Sequence, residues 1–357
     1  MAEVAFDVLE LILVGFDVKN IIPCKSVCKS WHAFITSPRF VKAHLNHNYK
    51  KDRDNHELGH RRIANGINKT EDLRLSVDML RVVGSSNGLV CVSPRDVEFV
   101  VTNPSTGEFR KLPKVPYTHE TETLKDVVCL GFGYDSSTDD YKVVAGFKEG
   151  WSTPFYILTL KSNIWKFMGE VKYRWCTKGV NGVLCGETLY WFMSDATKRV
   201  IISFNLSTEK FKFIPQPTDG DYGCHHCWLV HKCYALGVLD DCLCIYSSSS
   251  CSLYSKIWVM KNSKWERYYH CRWSKNDIVH RVQESQQKYV YTHDDGMQLT
   301  SIGRYMCASI FVNSLVSPNP LVISNNSHYK GRKRNAMEQD PNESVEGDVK
   351  CNIRKMN

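Results

Sequence analysis

NPSTGEFRKLP (residues 103–113) returns as NLSTEKFKFIP (residues 205–215), an offset of 102 residues. Two further pairs keep that interval. LGFGYD, beginning at Leu130, matches LGVLDD at Leu236, an offset of 106, and YILTLKSNIWKF, beginning at Tyr156, matches KIWVMKNSKWER at Lys256, an offset of 100 that lays Trp165 onto Trp265. The matching runs are short and apolar, and Gly, Asn, Asp, Ser and Pro separate them, which is the chemistry of strands and turns. Each unit of about 100 residues holds two kinds of hairpin, one at the Asn-x-Ser-Thr turn and one at the Lys-Ser-Asn or Lys-Asn-Ser turn before tryptophan. Half the interval, about 50 residues, is the size of a four-stranded propeller blade. Such a sheet cannot bury both faces by itself, so several must pack side by side. The span 81–316 accommodates about five blades, or six if residues 70–82 contribute strands.

The front of the chain reads differently. From Asp7, the residues Leu9, Ile12, Leu13 and Phe16 follow the i, i+3, i+4, i+7 spacing of one helical face. Gly15 and Asp17 end that helix, and Asp17 is expected to cap the next one, whose apolar residues are Val18, Ile21 and Ile22 and which Pro23 keeps short. KSVCKSWHAFITSP (residues 25–38) predicts a third helix with Val27, Trp31 and Phe34 on one stripe, widened by Cys28 and Ile35. Ser37-Pro38 supplies a cap and a first-turn proline for a fourth segment through Phe40, Val41 and Leu45. Three or four short helices in about 45 residues bury little surface, so part of this apolar face is expected to meet another protein.

The run DVLELILVGFDVKNIIPCKSVCKSWHAFITSPRF resembles an F-box, through Val18-Lys19, the VCKSW block and SPRF. It departs from the usual pattern at Val4-Ala5, where leucine-proline is common, at Asp17, where proline is common, and at Leu11, an acidic position. GSSNGLVCV, NPSTGEFRKLP, LGFGYDSSTDDYKVV, NGVLCGETLYWF, FNLSTEKFKFIP, KIWVMKNSKWER and FVNSLVSP resemble the F-box-associated domain of plant F-box proteins, which is similar to kelch propellers. The fold expected is α+β and multidomain: a small all-α F-box of three to four helices at residues 1–46, a linker at 47–80, an all-β propeller-like domain at 81–316 and a polar tail at 317–357.

The resemblance implies the substrate-recognition subunit of an SCF-type ubiquitin ligase, serving ubiquitin-dependent protein degradation. The F-box would dock on a Skp-family adaptor, and through it on the cullin and RING core, while the propeller binds a target protein. Folding and adaptor docking together are assigned to Leu9, Ile12, Leu13, Val18, Ile22, Val27, Cys28 and Trp31. Among the tryptophans most read as core, whereas Trp151 and Trp175 lie in connections and are candidates for target contact.

Composition excludes several other classes. Of 357 residues 43% are apolar and 24% charged, which is ordinary for a globular protein, and no apolar run approaches the ~20 residues that cross a bilayer. Glu3, Asp7 and Glu10 interrupt what would have to be a basic and then apolar secretory leader. Fifteen cysteines in strand-like runs therefore read as free thiols in a reducing compartment, cytoplasmic or nuclear. A net charge of +8 spread along the chain gives no support for nucleic-acid binding, and KGRKR (residues 330–334) reads as a solvated charge run in the tail, with a nuclear-import signal as the alternative.

Catalytic patterns fail on context. GSSNG (residues 84–88) spells a hydrolase elbow with Ser86 as nucleophile, but a strand follows it where a helix is required. Cys224, Cys227, His231 and Cys233 offer four zinc-type ligands, though the last two are too close for familiar knuckles and a loop with buried thiols explains them as well. Asp139-Asp140, Asp240-Asp241 and Asp294-Asp295 read as turn carboxylates, and there is no P-loop or dinucleotide fingerprint. The chain is thus expected to be a non-catalytic adaptor without a cofactor. The alternatives are a sequestering propeller protein without ligase activity and a propeller metal protein or enzyme.

Overall fold

The computed structural model describes residues 6–54, 81–95, 98–117, 127–175, 180–194, 199–218, 234–239, 241–247, 257–268 and 312–319. Four helices come first: α1 (Phe6–Leu13), α2 (Val18–Cys24), α3 (Lys29–Ile35) and α4 (Pro38–Asp54). Antiparallel meanders follow. Strands β1 (Arg81–Ser86), β2 (Leu89–Arg95), β3 (Glu98–Asn103) and β4 (Glu108–Lys111) make the first sheet, and β5 (Val127–Asp135), β6 (Asp140–Phe147), β7 (Thr153–Thr159) and β8 (Ile164–Val171) the second. Strands β9 (Arg174–Trp175), β11 (Val183–Cys185), β12 (Thr188–Ser194), β13 (Arg199–Asn205) and β14 (Lys210–Ile214) make the third, β9 pairing with β12, while the two-residue β10 (Val180–Asn181) adds in parallel to β5 at the edge of the second. The fourth holds β15 (Tyr234–Leu239), β16 (Cys242–Ser247), β17 (Ile257–Lys261) and β18 (Lys264–Tyr268).

The internal repeat therefore spans two sheets. The copies at 103 and 205 are the β3–β4 and β13–β14 hairpins, and the copies at 156 and 256 are β7–β8 and β17–β18. Four blades are seen among the described residues; the stretches left for a further blade, 55–80 and 269–311, lie outside them.

Period-2 alternation sends neighbouring residues of one strand into different seams. In the second sheet Leu130, Phe132, Val143, Ala145 and Leu158 pack with Val83, Cys91, Phe99 and Val101 of the first. Their neighbours Cys129, Val144, Phe155 and Ile157 pack with Leu189, Trp191, Ile202 and Phe204 of the third. A further seam joins Phe192 and Ile201 to Leu236, Ile245 and Trp258. Because both faces are covered, the inner strands are nearly continuously apolar, as β5 is over residues 127–133. The two glycines of LGFGYD serve the tighter side: a Cβ on Gly131 would stand 2.6 Å from Leu189 Cδ1, and one on Gly133 2.6 Å from Leu206 Cδ1.

The helical module closes around Leu9, Leu13, Val18, Ile21, Ile35 and Phe40. Ser37 caps α4 as the sequence predicts, its hydroxyl accepting from the Phe40 amide at 3.3 Å. Two local expectations are corrected. The Asp17 carboxylate does not cap α2; it turns to Lys51 on α4, at 3.1 Å, where a cation offers a stronger partner than the amides. The third helix begins only at Lys29, because Cys28 acts as its N-cap, its sulfur accepting from the Trp31 amide at 3.5 Å, so Val27 lies outside the helical stripe. Helix α4 is continuous across residue 46, and no described helix is long and apolar enough to cross a membrane.

Candidate functional site

The helical module has a closed inside and an apolar outside. Along α1, Leu9 and Leu13 point into the core, while Val8, Leu11 and Ile12, at i, i+3 and i+4, form an opposite stripe in solvent. Leu11 is 76% exposed. Phe16, past the end of α1, and Val27, 63% exposed in the α2–α3 turn, extend the apolar surface, with exposed Cys28 next to Val27.

The eight residues expected to fold and dock thus separate. Leu9, Leu13 and Val18 are buried core; Ile22 and Trp31 are half-buried and lean on it; Ile12, Val27 and Cys28 face outward. Val8 and Leu11 belong to the outward set and the single-face reading of α1 missed them, while Phe16, which that reading placed on the face of Leu9 and Leu13, is exposed as well. A signal was present, since a short helix with apolar residues all round cannot bury every side in a small module.

On the propeller side, Trp151 is 65% exposed at the tip between β6 and β7. Glu149 and Ser152 exchange backbone hydrogen bonds beneath it, at 3.1 and 2.8 Å, which holds the tip as a tight turn. Trp175 lies in β9, its backbone paired with Met193. Cys224, Cys227, His231 and Cys233 lie outside the described residues, and among those described no cluster of three or more His, Cys, Asp or Glu could hold a metal.

The hydrolase-like GSSNG is a hairpin: Asn87 and Gly88, at φ 52° and 81°, turn β1 into β2. Asp140 of the paired acids holds the Tyr141 amide at 2.7 Å and the Lys161 amide at 3.1 Å, the turn role expected for it. Asp135 and Lys142 form a buried ion pair at 2.9 Å. Lys142 also reaches Glu209 of the third sheet at 3.0 Å and the Leu206 carbonyl at 2.6 Å. Ser137, Thr138 and Ser207 all donate hydroxyl protons to the same aspartate, at 2.6–2.8 Å. These groups face each other and stitch two blades together.

An F-box domain family matches residues 6–43, and the F-box associated beta propeller domain family matches residues 39–317. The chain belongs to the F-box-associated β-propeller family. Among its relatives, "F-box protein CPR1" of Arabidopsis thaliana is 28% identical over 73% of this chain and 70% of that protein. "Putative F-box protein At1g33530" is 30% identical over 73% of this chain and 61% of its own length, and "F-box/kelch-repeat protein At3g23880" is 25% identical over 88% and 96%. Both come from the same plant. Among solved structures, the Swd1 β-propeller domain of Myceliophteria thermophila matches at a TM-score of 0.32 and 11% identity over 53% of this chain and 58% of that one.

In this F-box-associated propeller the family boundary at residue 39 falls in α4 and the other end, 317, in a C-terminal segment that the structure places beside α4. The Asn48 amide on α4 donates to the Asn313 carbonyl at 2.8 Å. His44, one turn earlier, bonds the Phe16 carbonyl through Nε2 at 2.9 Å and faces Asn48 through Nδ1 at 3.4 Å. Burial lowers the pKa of His44, and the neutral ring satisfies both contacts with Nε2 as donor.

Proposed function

We propose that the chain is the substrate-recognition subunit of an SCF-type ubiquitin ligase, its F-box docking on a Skp-family adaptor and its propeller holding a target protein for ubiquitination. The observation that carries this reading is the outward apolar face of Val8, Leu11, Ile12, Phe16 and Val27 on a module whose own core is already filled. Leaving such side chains in water is unfavourable by roughly 25 cal/mol per Å² of apolar surface, and a partner that covers them recovers that free energy. The part played is non-catalytic: a target tethered beside a ubiquitin-charged enzyme is modified because its effective concentration is raised. On the target side the tight turn at Trp151 offers a rigid aromatic anchor of the kind that dominates protein interfaces.

The test is capture of a co-expressed Skp-family adaptor by the tagged chain, comparing the natural sequence with Leu11→Asp plus Val27→Asp. Both positions are exposed, so the variant keeps its circular dichroism and its melting profile while capture is lost. Capture at the natural level by that double variant would defeat the proposal. Ile22 and Trp31 are poorer choices because they pack against the core and their replacement loosens the module itself.

A further inference from the structure

We infer that residues 312–318 form a strap that mounts the F-box on the first blade, so that the helical module owes its fixed position, and part of its core, to the C-terminal end of the propeller domain. Successive residues of the strap serve opposite sides. Leu315, 4% exposed, fills the helical core among Leu9, Leu13, Ile21 and Phe40. Val316 packs on the seam between the first two blades. An extended chain alternates its side chains in this way, and here the alternation joins two hydrophobic cores through adjacent residues.

Polar contacts hold the strap down on the blade. The Asn103 amide, fully buried in the first Asn-x-Ser-Thr turn, faces the Ser314 carbonyl at 3.0 Å, the Ser314 hydroxyl at 3.2 Å and the Val316 carbonyl at 2.7 Å. Ser105 donates to the Asn313 side-chain oxygen at 3.0 Å, and Ser317 donates to Glu108. Gly88 makes the approach feasible: a Cβ there would stand 2.4 Å from the Val312 carbonyl and 2.3 Å from Ser314 Oγ. On the other side Asn48 grips the Asn313 carbonyl, and Tyr49 adds a direct bond from α4 to Asn87 at 3.0 Å.

The internal repeat supplies a control. Asn205 occupies the place of Asn103 one two-blade interval later, and its side-chain oxygen also caps its turn, accepting from the Thr208 amide at 2.7 Å where that of Asn103 accepts from the Ser105 amide at 2.8 Å. Its amide group goes to Thr188, not to a strap. The turn role is therefore common to both asparagines, and holding the strap is what the structure gives to Asn103.

The proposal concerns how the two parts are joined. Only its consequence, that the adaptor face is held at a set angle to the target, rests on the ligase reading. The experiment is hydrogen–deuterium exchange on the purified full chain without adaptor, comparing Leu315→Ala, Asn103→Asp and Asn205→Asp. Asp at 103 keeps the turn-capping oxygen but sets a second oxygen against the Ser314 and Val316 carbonyls. Amides of α1–α4 should exchange about tenfold faster or more in Leu315→Ala and Asn103→Asp, with β5–β7 and β12–β13 at their natural rates and Asn205→Asp leaving the helices protected. Unchanged helical exchange in both strap variants would overturn the proposal. So would equal loosening of the helices and of the second and third blades, which would make the strap a general part of the propeller. No adaptor takes part, so a chain that failed to capture one would still give its own answer here.

Discussion

The indole Nε1–H of Trp165 donates to the carbonyl of Pro113 at 2.8 Å, tying the outer strand of the second blade to the residue just beyond the outer strand of the first. Two blades later Trp265 donates to the carbonyl of Pro215 at 2.6 Å. A repeated clamp of this sort explains why both members recur in the sequence at nearly the same interval: proline ends the strand and leaves a carbonyl without a ladder partner, and the tryptophan of the next blade satisfies it while its ring fills the seam. Trp165 also lies against Phe99, the ring centres 5.5 Å apart.

Trp165→Phe keeps an aromatic ring in the seam and removes the donor. The Pro113 carbonyl is then left without that partner, and stability should fall by about 1–3 kcal/mol, the cost of a lost hydrogen bond and a smaller ring. Urea denaturation followed by fluorescence or circular dichroism reads this as a lower midpoint with an unchanged slope. Trp265→Phe should cost less, since that tryptophan is only half-buried.

Lys142→Met removes the cation from a buried network and leaves Asp135 held only by hydroxyl and amide donors. Breaking a buried pair on one side typically costs about 3–5 kcal/mol. Replacing both partners, Asp135→Asn with Lys142→Met, should cost less than Lys142→Met alone, because no uncompensated charge remains. Thermal or chemical denaturation of the two variants checks the order, and a more stable single variant would contradict it.

Acid should weaken the propeller. Burial works against ionisation of Asp135, but hydrogen bonds from Ser137, Lys142, Thr138 and Ser207 outweigh it and hold its carboxyl well below the usual range. Glu209 is also burdened by burial and also lowered, by Lys142 and Lys166, and Glu187 is lowered by Ser136 and Ser207. A carboxyl with a depressed folded pKa binds its proton later in the folded than in the unfolded chain. Its stabilisation is thus present above the ordinary carboxylate values near about 4 and is lost as pH falls below them. Asp140, whose pKa burial raises, acts in the opposite sense but is a single group. The melting temperature should therefore fall steeply between about pH 4.5 and 3, and less steeply in Asp135→Asn with Lys142→Met.

How much of this could be read from the chain depends on where each contact's partner lies. The blades were legible because alternate seams demand the same side chains at the same spacing, so Pro113 and Trp165 reappear as Pro215 and Trp265. The turn roles of Asn87, Gly88 and Asp140 were legible because they are local. The strap was not, since Asn103 and Ser314 stand 211 residues apart and nothing in NSLVSP announces its partner. The outer face of α1 was half legible: its apolar stripe at Leu9 and Leu13 obeys the helical period, but so does the one at Val8, Leu11 and Ile12, and only packing decides which is covered. Asp17 failed as a cap for the same reason, because Lys51 lies on a helix that the local reading of α2 does not include.

Two glycines test whether close packing or backbone conformation keeps them small. Gly131 has no special backbone angle, and an added Cβ would stand 2.6 and 2.9 Å from the methyls of Leu189 and 3.1 Å from Trp191, both fully buried side chains with nowhere to move. Gly107 is the reverse case, at φ 77° with open space around it. Gly131→Ala should cost about 1–3 kcal/mol through overpacking, and Leu189→Ala in the same chain should cost less than the sum of the two changes because it opens room for the methyl. Gly107→Ala should cost about 1–2 kcal/mol through the left-handed backbone, and Gly107→Asn much less, since Asn tolerates that conformation, as Asn87, Asn163 and Asn262 do here at φ 52°, 55° and 48°. Asparagine at Gly131, with more atoms to place in the same gap, should be worse than alanine. Denaturant midpoints for the six variants, Leu189→Ala alone among them, give the comparison, and an asparagine that rescues position 131 or fails at 107 would show that the two glycines have been assigned the wrong reasons.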